Sequence, residues 1–279
     1  MTTTTTRPVP PVPALVAPAD SVGQRLKGKR VLITGTTKGV GPVAQELFAR
    51  HGAYVIGCGR TPGAAAANAA KLQAEGLKAE GYDVDLADPD SAKAWVDTAA
   101  ERMGGIDVLV NNASKPEFAM FGDMTYEQWR TSLDNELNNV FLVTKAAWPH
   151  RIAAGGGNVI NVSSDNGILG VGGTPQAAHA AAKAAVIGLA QQLAAEGAPH
   201  GIRVNALTPG AIDTPGLAGA PKPMRDYLLY ELHLNGHLLD PLDIAYGLLF
   251  LASDESRFVT AVNLPVDCGT SGARPGPVW

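Results

Sequence analysis

Val31-Leu32-Ile33-Thr34-Gly35-Thr36-Thr37-Lys38-Gly39-Val40-Gly41 is the stretch on which the fold turns. A short apolar run, Val31 to Ile33, breaks into a glycine-rich segment, after which Val43, Ala44, Leu47 and Phe48 recur at helical spacing. The order is therefore strand, tight turn, helix. Glycines let the backbone come close to a phosphate, and a helix N-terminus supplies N–H donors and the positive end of its dipole. The spacing is Gly-x-x-x-Gly-x-Gly, not the commoner dinucleotide pattern. A plain strand-to-helix turn would also use these glycines. The position of the turn, at the head of a chain that alternates strand and helix, favours phosphate binding.

Working outward, residues 53–58 read as a second strand ending at Gly59-Arg60. In dinucleotide folds an acid near this point binds the ribose hydroxyls. Arg60 stands there instead, with Lys38 in the first turn, and two cations where a 2′-phosphate would sit favour NADP(H). A helix follows over about 65–75 and a strand over about 78–84, with Asp85-Leu86 just past its tip, where an adenine can rest. Asp88-Pro89 caps a helix that runs to about residue 103. Residues 106–110 form the fourth strand and lead into Asn111-Asn112-Ala113-Ser114. Thr125-x-x-Gln128 is a capping box opening one long helix to about residue 153.

Val159 to Val162 is a buried strand whose polar end is Ser163-Ser164-Asp165-Asn166-Gly167. An alanine-rich helix over about 175–195 carries His179 and Lys183, four apart and so on one face. A hydroxyl at a strand tip with an imidazole and an ammonium on a neighbouring helix is a proton-handling set; a serine-rich turn and two exposed helix residues would read the same from periodicity alone. Residues 201–207 form another strand, leading into Thr208-Pro209-Gly210-Ala211-Ile212-Asp213-Thr214. The aperiodic stretch at about 213–237 reads as a substrate lid. Its leucines and Met224 suit a lipophilic or ring-bearing small molecule. A last helix from Asp240-Pro241 and a strand at 262–266 complete the alternation.

The fold class expected is α/β: a doubly wound, mostly parallel Rossmann-type sheet with helices on both faces, in one domain over residues 26–270. Its ligand belongs beyond the carboxyl ends of the strands. Residues 1–25, rich in Thr and Pro, read as a disordered arm, and 271–279 as a tail. With 279 residues, 46% of them hydrophobic, the chain can bury a sizeable core. The net charge of −4 gives no support for a nucleic-acid or membrane partner, and the two cysteines make no disulfide framework. No metal is expected, and the protein is expected to be cytoplasmic.

Taken in order, these motifs resemble the short-chain dehydrogenase/reductase family over about residues 26–269: the Thr34-to-Gly41 turn, Asp85, Asn111-Asn112-Ala113, Val162-Ser163-Ser164, Lys183, Pro209-Gly210 and Asp267. The resemblance implies that Gly35, Thr37, Lys38, Gly39 and Val40 cradle phosphates and adenosine ribose. It gives the 2′-phosphate to Arg60 and the adenine to Asp85 and Leu86. It places Asn112, Ala113 and Lys183 at the nicotinamide ribose and Pro209, Gly210, Ile212 and Thr214 around the carboxamide. Ser164 would orient the substrate oxygen. A homodimer or homotetramer is implied too.

The resemblance breaks at the proton donor. The family pattern is Tyr-x-x-x-Lys, and here the tyrosine position is His179. The family's active-site asparagine falls, counting from Trp129 and Phe141, on Glu136, with Asn135, Asn138 and Asn139 expected on other helix faces. Ser114 replaces a glycine. Imidazole has an unperturbed pKa near neutrality and can do the phenol's work. The function expected is NADP(H)-dependent interconversion of a ketone and an alcohol through Ser164, His179 and Lys183. The alternative is a non-redox enzyme on this fold, a dehydratase, epimerase, cyclase or retro-aldol catalyst, with His179 and Glu136 as acid and base. A lid tyrosine, Tyr227 or Tyr230, is a third source of the proton.

Overall fold

In the computed structural model, residues 23–214, 217 and 222–274 are described. The arm up to residue 22, the tail from 275 and part of the expected lid lie outside them. The strands are β1 (Arg30–Thr34), β2 (Tyr54–Gly59), β3 (Ala79–Asp83), β4 (Val108–Asn111), β5 (Gly157–Val162), β6 (Ile202–Pro209) and β7 (Asn263–Val266). All pair in parallel in the order β3-β2-β1-β4-β5-β6-β7. The chain winds one way from β1 to β3, then returns and winds the other way from β4. The crevice between β1 and β4 is where ligands sit in such sheets.

The helices are α1 (Val40–Arg50), α2 (Ala64–Ala74), α3 (Pro89–Met103), α4 (Tyr126–Leu133), α5 (Asn139–Ala153), α6 (Ala177–Gly197), α7 (Lys222–Tyr227) and α8 (Pro241–Ala252). Their placement follows from the strand sequence. In β1 the side chains alternate: Val31 and Ile33 join one core with Leu47 and Phe48 of α1 and Leu248 of α8, while Leu32 faces a second core with Trp95 of α3, Val143 of α5 and Ala190 of α6. Strands buried on both faces need apolar residues at successive positions, which is why β1 and β4 read as continuous apolar runs. Asp88 caps α3 and Thr125 and Gln128 form the capping box of α4, as their spacing predicts.

Two elements differ from the sequence reading. The helix expected to run unbroken from residue 125 to about 153 is interrupted by a π turn, Asp134–Asn138, between α4 and α5. One extra residue in a helical turn rotates everything after it, and π turns are frequent at functional sites. The lid, read as aperiodic, contains α7 and a second π turn, Leu228–Leu232.

Candidate active site

The first β-α turn is built for close approach. Gly39 precedes α1 at φ 68°, a left-handed value that favours glycine, and α1 has neither a side-chain cap nor an acid in its first turn. The first N–H groups of the helix are thus left for an anion. A Cβ on Gly41 would lie 2.0 Å from the Gly35 carbonyl oxygen. Thr34 Oγ1 accepts from the backbone N–H of Asn112 and of Ala113, both at 2.9 Å, which ties the tip of β1 to the tip of β4. Gly41→Ala is expected to destabilise the fold by about 1–3 kcal/mol through overpacking and to weaken cofactor binding; thermal melts with and without NADP(H) measure both.

Above the strand tips lies a cleft of about 1310 Å³. A typical drug-sized pocket is about 300–1000 Å³, so this one has room for a dinucleotide and a second molecule. Its wall contains Gly35, Thr37, Lys38, Gly39 and Val40 from the first turn, Arg60 past β2, and Asp85 and Leu86 past β3. Asn112 and Ala113 past β4, and Pro209, Gly210, Ile212 and Thr214 past β6, line it too. Ser164, His179 and Lys183 line the same cleft. An uncapped helix end, a cradle that a single methyl would fill and cations at the far end fit a phosphate-bearing dinucleotide.

The reacting end is set by three elements. The loop after β5 packs on α6, where a Cβ on Gly167 would meet the Lys183 backbone at 2.7 Å, and Ser163 Oγ donates to the Lys183 carbonyl at 2.8 Å. That contact brings Ser164 against the helix that carries His179. Lys183 is 3% exposed and donates from Nζ to the Val162 carbonyl at 3.0 Å. Burial lowers its pKa, and the charge of Glu136 offsets part of that.

His179 Nδ1 lies 2.9 Å from Glu136 Oε2 and 3.0 Å from Oε1. Ser114 donates its hydroxyl to Oε1 as well. Glu136 is 0% exposed. Burial raises its pKa, but the hydrogen bond from His179, the charge of Lys183 and the Ser114 hydroxyl together hold it below the ordinary carboxylate value. An ionised carboxylate only accepts, so Nδ1 carries the imidazole proton and Nε2 is the nitrogen left for the cleft. Phe118 meets the imidazole edge-on, with centroids 6.4 Å apart.

Two corrections to the sequence reading follow. Glu136 is absent from the cleft wall and sits behind His179, so it acts on a substrate only through the imidazole. Asn135 and Asn139, expected on other faces, both line the cleft; residues four apart share a helix face, and this pair does so across the π turn. Asn139 Nδ2 donates to the carbonyls of Ala113 (3.2 Å) and Asn135 (2.7 Å), and Asn135 Oδ1 accepts from Arg60 at 2.9 Å. Neither Tyr227 nor Tyr230 lines this cleft; the described part of the lid contributes Leu217, Met224, Leu228 and Leu232.

The sequence reading quoted Asp165 without giving it a role. It is buried in the cleft wall beside Ser164, and burial raises its carboxyl above the ordinary value despite the hydrogen bonds from Ser164 and Asn166. A carboxylate directly after a strand-tip serine was the signal available.

A doubly wound sheet with this turn and cleft defines a dinucleotide-binding enzyme fold. A family model described as enoyl-(acyl carrier protein) reductase matches residues 35–271. The 3-oxoacyl-[acyl-carrier-protein] reductase FabG of Thermotoga maritima is 40% identical over 88% of this chain and 98% of its own. The trans-4-hydroxycyclohexanecarboxylate dehydrogenase of Sinomonas cyclohexanicum is 37% identical over 91% of this chain and 96% of its own. A crystal structure from Burkholderia xenovorans, assigned to the short-chain dehydrogenases/reductases, superposes with a TM-score of 0.82 at 32% identity, covering 90% of this chain and 99% of that one. The chain belongs to the short-chain dehydrogenase/reductase family, a family of nicotinamide-dependent oxidoreductases. No helix among the described residues is long and apolar enough to cross a membrane.

Proposed function

We propose that the protein interconverts a lipophilic or ring-bearing alcohol and its ketone with NADP(H), using Ser164, His179 and Lys183 where the family uses serine, tyrosine and lysine. The observation that carries this reading is the Glu136–His179 pair, 2.9 Å between Oε2 and Nδ1, which leaves Nε2 for the cleft. When bound, the nicotinamide takes or gives the hydride. In the oxidising direction Nε2 accepts the hydroxyl proton, and the enclosed Glu136 carboxylate stabilises the resulting imidazolium. Lys183 holds the ribose and supports the ionised state of Glu136. Ser164 fixes the substrate oxygen.

Arg60 and Lys38 support NADP(H), since a 2′-phosphate gains from a guanidinium fork and an ammonium. Apolar lid residues and the Sinomonas relative that takes a hydroxycyclohexane acid support a ring-bearing substrate. Exposed Tyr126, Phe141 and Ile152 on the α4–α5 rod support a homodimer or homotetramer. The same enclosed acid–base pair also suits a non-redox dehydratase or epimerase. The deciding experiment follows absorbance of the reduced nicotinamide while purified protein meets NADP⁺ or NAD⁺ with cyclic secondary alcohols, or NADPH with cyclic ketones. Turnover with at least a tenfold preference for NADP(H) is expected, and Arg60→Ala is expected to remove about tenfold or more of that preference. Cofactor binding with no turnover across the panel would favour the non-redox reading.

A further inference from the structure

The lid's second π turn, Leu228–Leu232, ends on a histidine that the proton chemistry does not use. His233 is 0% exposed. Its Nδ1 donates to the His237 carbonyl, and its Nε2 accepts from the Ala211 backbone N–H at 3.1 Å. A ring with one nitrogen donating and the other accepting is a neutral imidazole with its proton on Nδ1. Ala211 lies in the loop after β6, and it lines the cleft together with Gly210 and Ile212. The same loop is held at two further points. The Ala211 carbonyl accepts from Leu239 N at 3.0 Å, and the Leu239 carbonyl accepts from Asp213 N at 2.8 Å. Those two bonds join backbone to backbone. The bond to His233 is made by a side chain, so substitution can remove it alone.

The packing leaves this loop little room. A Cβ on Gly210 would lie 2.9 Å from His233 Nε2 and 2.9 Å from the Asp267 Cα, and Gly210 N donates to the Val266 carbonyl at 3.1 Å. On the lid side, the His233 N–H donates to the Leu228 carbonyl at 3.2 Å, and Leu228 and Leu232 face the cleft. We infer that His233 is a positioning residue for the cofactor: its Nε2 fixes the segment that carries Ile212 and Thr214, and so sets the nicotinamide end of the cleft from the lid. With no exposed surface of its own, it acts through the Ala211 peptide. Without the acceptor, an N–H pointing into an enclosed space has no partner, which favours loop conformations that turn it toward water. The inference rests on the reading of this loop as the carboxamide's, and names what holds the loop in place.

Two amides separate the ring's nitrogens. Asparagine at position 233 reaches the place of Nδ1, and glutamine, one carbon longer, reaches that of Nε2 with its oxygen. Calorimetry on the full-length protein compares NADPH with 2′,5′-ADP, which carries the phosphate end of the cofactor without the nicotinamide. His233→Asn is expected to weaken NADPH binding by about tenfold or more and to leave 2′,5′-ADP within about twofold. His233→Gln is expected to keep both near wild type. Should the asparagine variant not fold, His233→Phe, which fills the space with neither nitrogen, takes its place and is expected to behave in the same way. Amide exchange across residues 210–214 reads the contact without any cofactor and is expected to be faster in His233→Asn than in the wild type or His233→Gln. Equal losses for the two probes would make His233 a general structural residue. That result would overturn the inference, as would full NADPH affinity or unchanged exchange in His233→Asn. If the wild type binds neither probe, it is the dinucleotide reading that has failed, and the inference falls with it.

Discussion

His179→Ala is expected to lower kcat for alcohol oxidation by about 10²- to 10⁴-fold, the usual contribution of a positioned general base, while leaving the affinity for NADP(H) within a few-fold. The argument is geometric. His179 lines the cleft and is oriented by two short contacts from one nitrogen to an enclosed carboxylate, so its other nitrogen is fixed for proton exchange. Removing the ring leaves Ser164 and Lys183 in place, but Lys183 is tied to the Val162 carbonyl and Ser164 to Asp165. Neither can replace the lost acceptor. The lid tyrosines provide the control: Tyr227→Phe and Tyr230→Phe are expected to leave kcat within about twofold, since surface changes away from a site have small effects. Near-normal kcat in His179→Ala, with a collapse in either tyrosine variant, would move the proton chemistry to the lid. Stopped-flow nicotinamide absorbance on all three variants separates these outcomes.

The glycine-rich end of the cleft was the legible part of this molecule. Gly35, Gly39 and Gly41 mark a backbone that must come close to something, and such constraints are local, so they survive in sequence. The central strands were legible for a related reason: a strand buried on both faces, such as Val31 to Ile33 or Val108 to Val110, has to be apolar at successive positions, whereas the edge strands β3 and β7 are only partly buried and follow from the alternation with helices. The pairing of His179 with Glu136 was only half legible. Their positions follow from the family pattern, but a separation of 43 residues carries no local signal of contact. The π turn was not legible at all. Asp134-Asn135-Glu136-Leu137-Asn138 carries two asparagines and an aspartate, weak helix formers, but nothing in that composition distinguishes a π turn from an α turn. Asn135 and Asn139 are four apart and share a face in any helix, so spacing alone pairs them; what spacing does not show is that their face, and not that of Glu136, lines the cleft. Asp165 was overlooked because a polar residue in a polar loop looks unremarkable until its burial is known.

Glu136→Gln tests the arrangement most severely, because it changes one atom and no shape. An expected loss of about 10²- to 10⁴-fold in kcat follows from the tautomer; in serine proteases the equivalent carboxylate-to-amide change behind a catalytic histidine costs about 10⁴-fold. Both Glu136 oxygens lie within 3.0 Å of Nδ1. An amide must put its NH₂ at one of those two places. An NH₂ facing Nδ1 drives the imidazole proton to Nε2, where it blocks acceptance of the substrate proton. Stability responds as well, and its pH dependence has a fixed sign. The folded-state pKa of Glu136 lies below its ordinary value, so its ionised form favours the fold. That contribution is complete above the unfolded carboxylate pKa of about 4.3 and disappears as pH falls through the lower folded value. Urea melts should therefore show the wild type more stable than Glu136→Gln near neutrality, with the gap closing below about pH 4. A gap that persists unchanged into acid would mean the carboxylate contributes shape alone, and that His179 owes its orientation to packing against Phe118 instead of to charge.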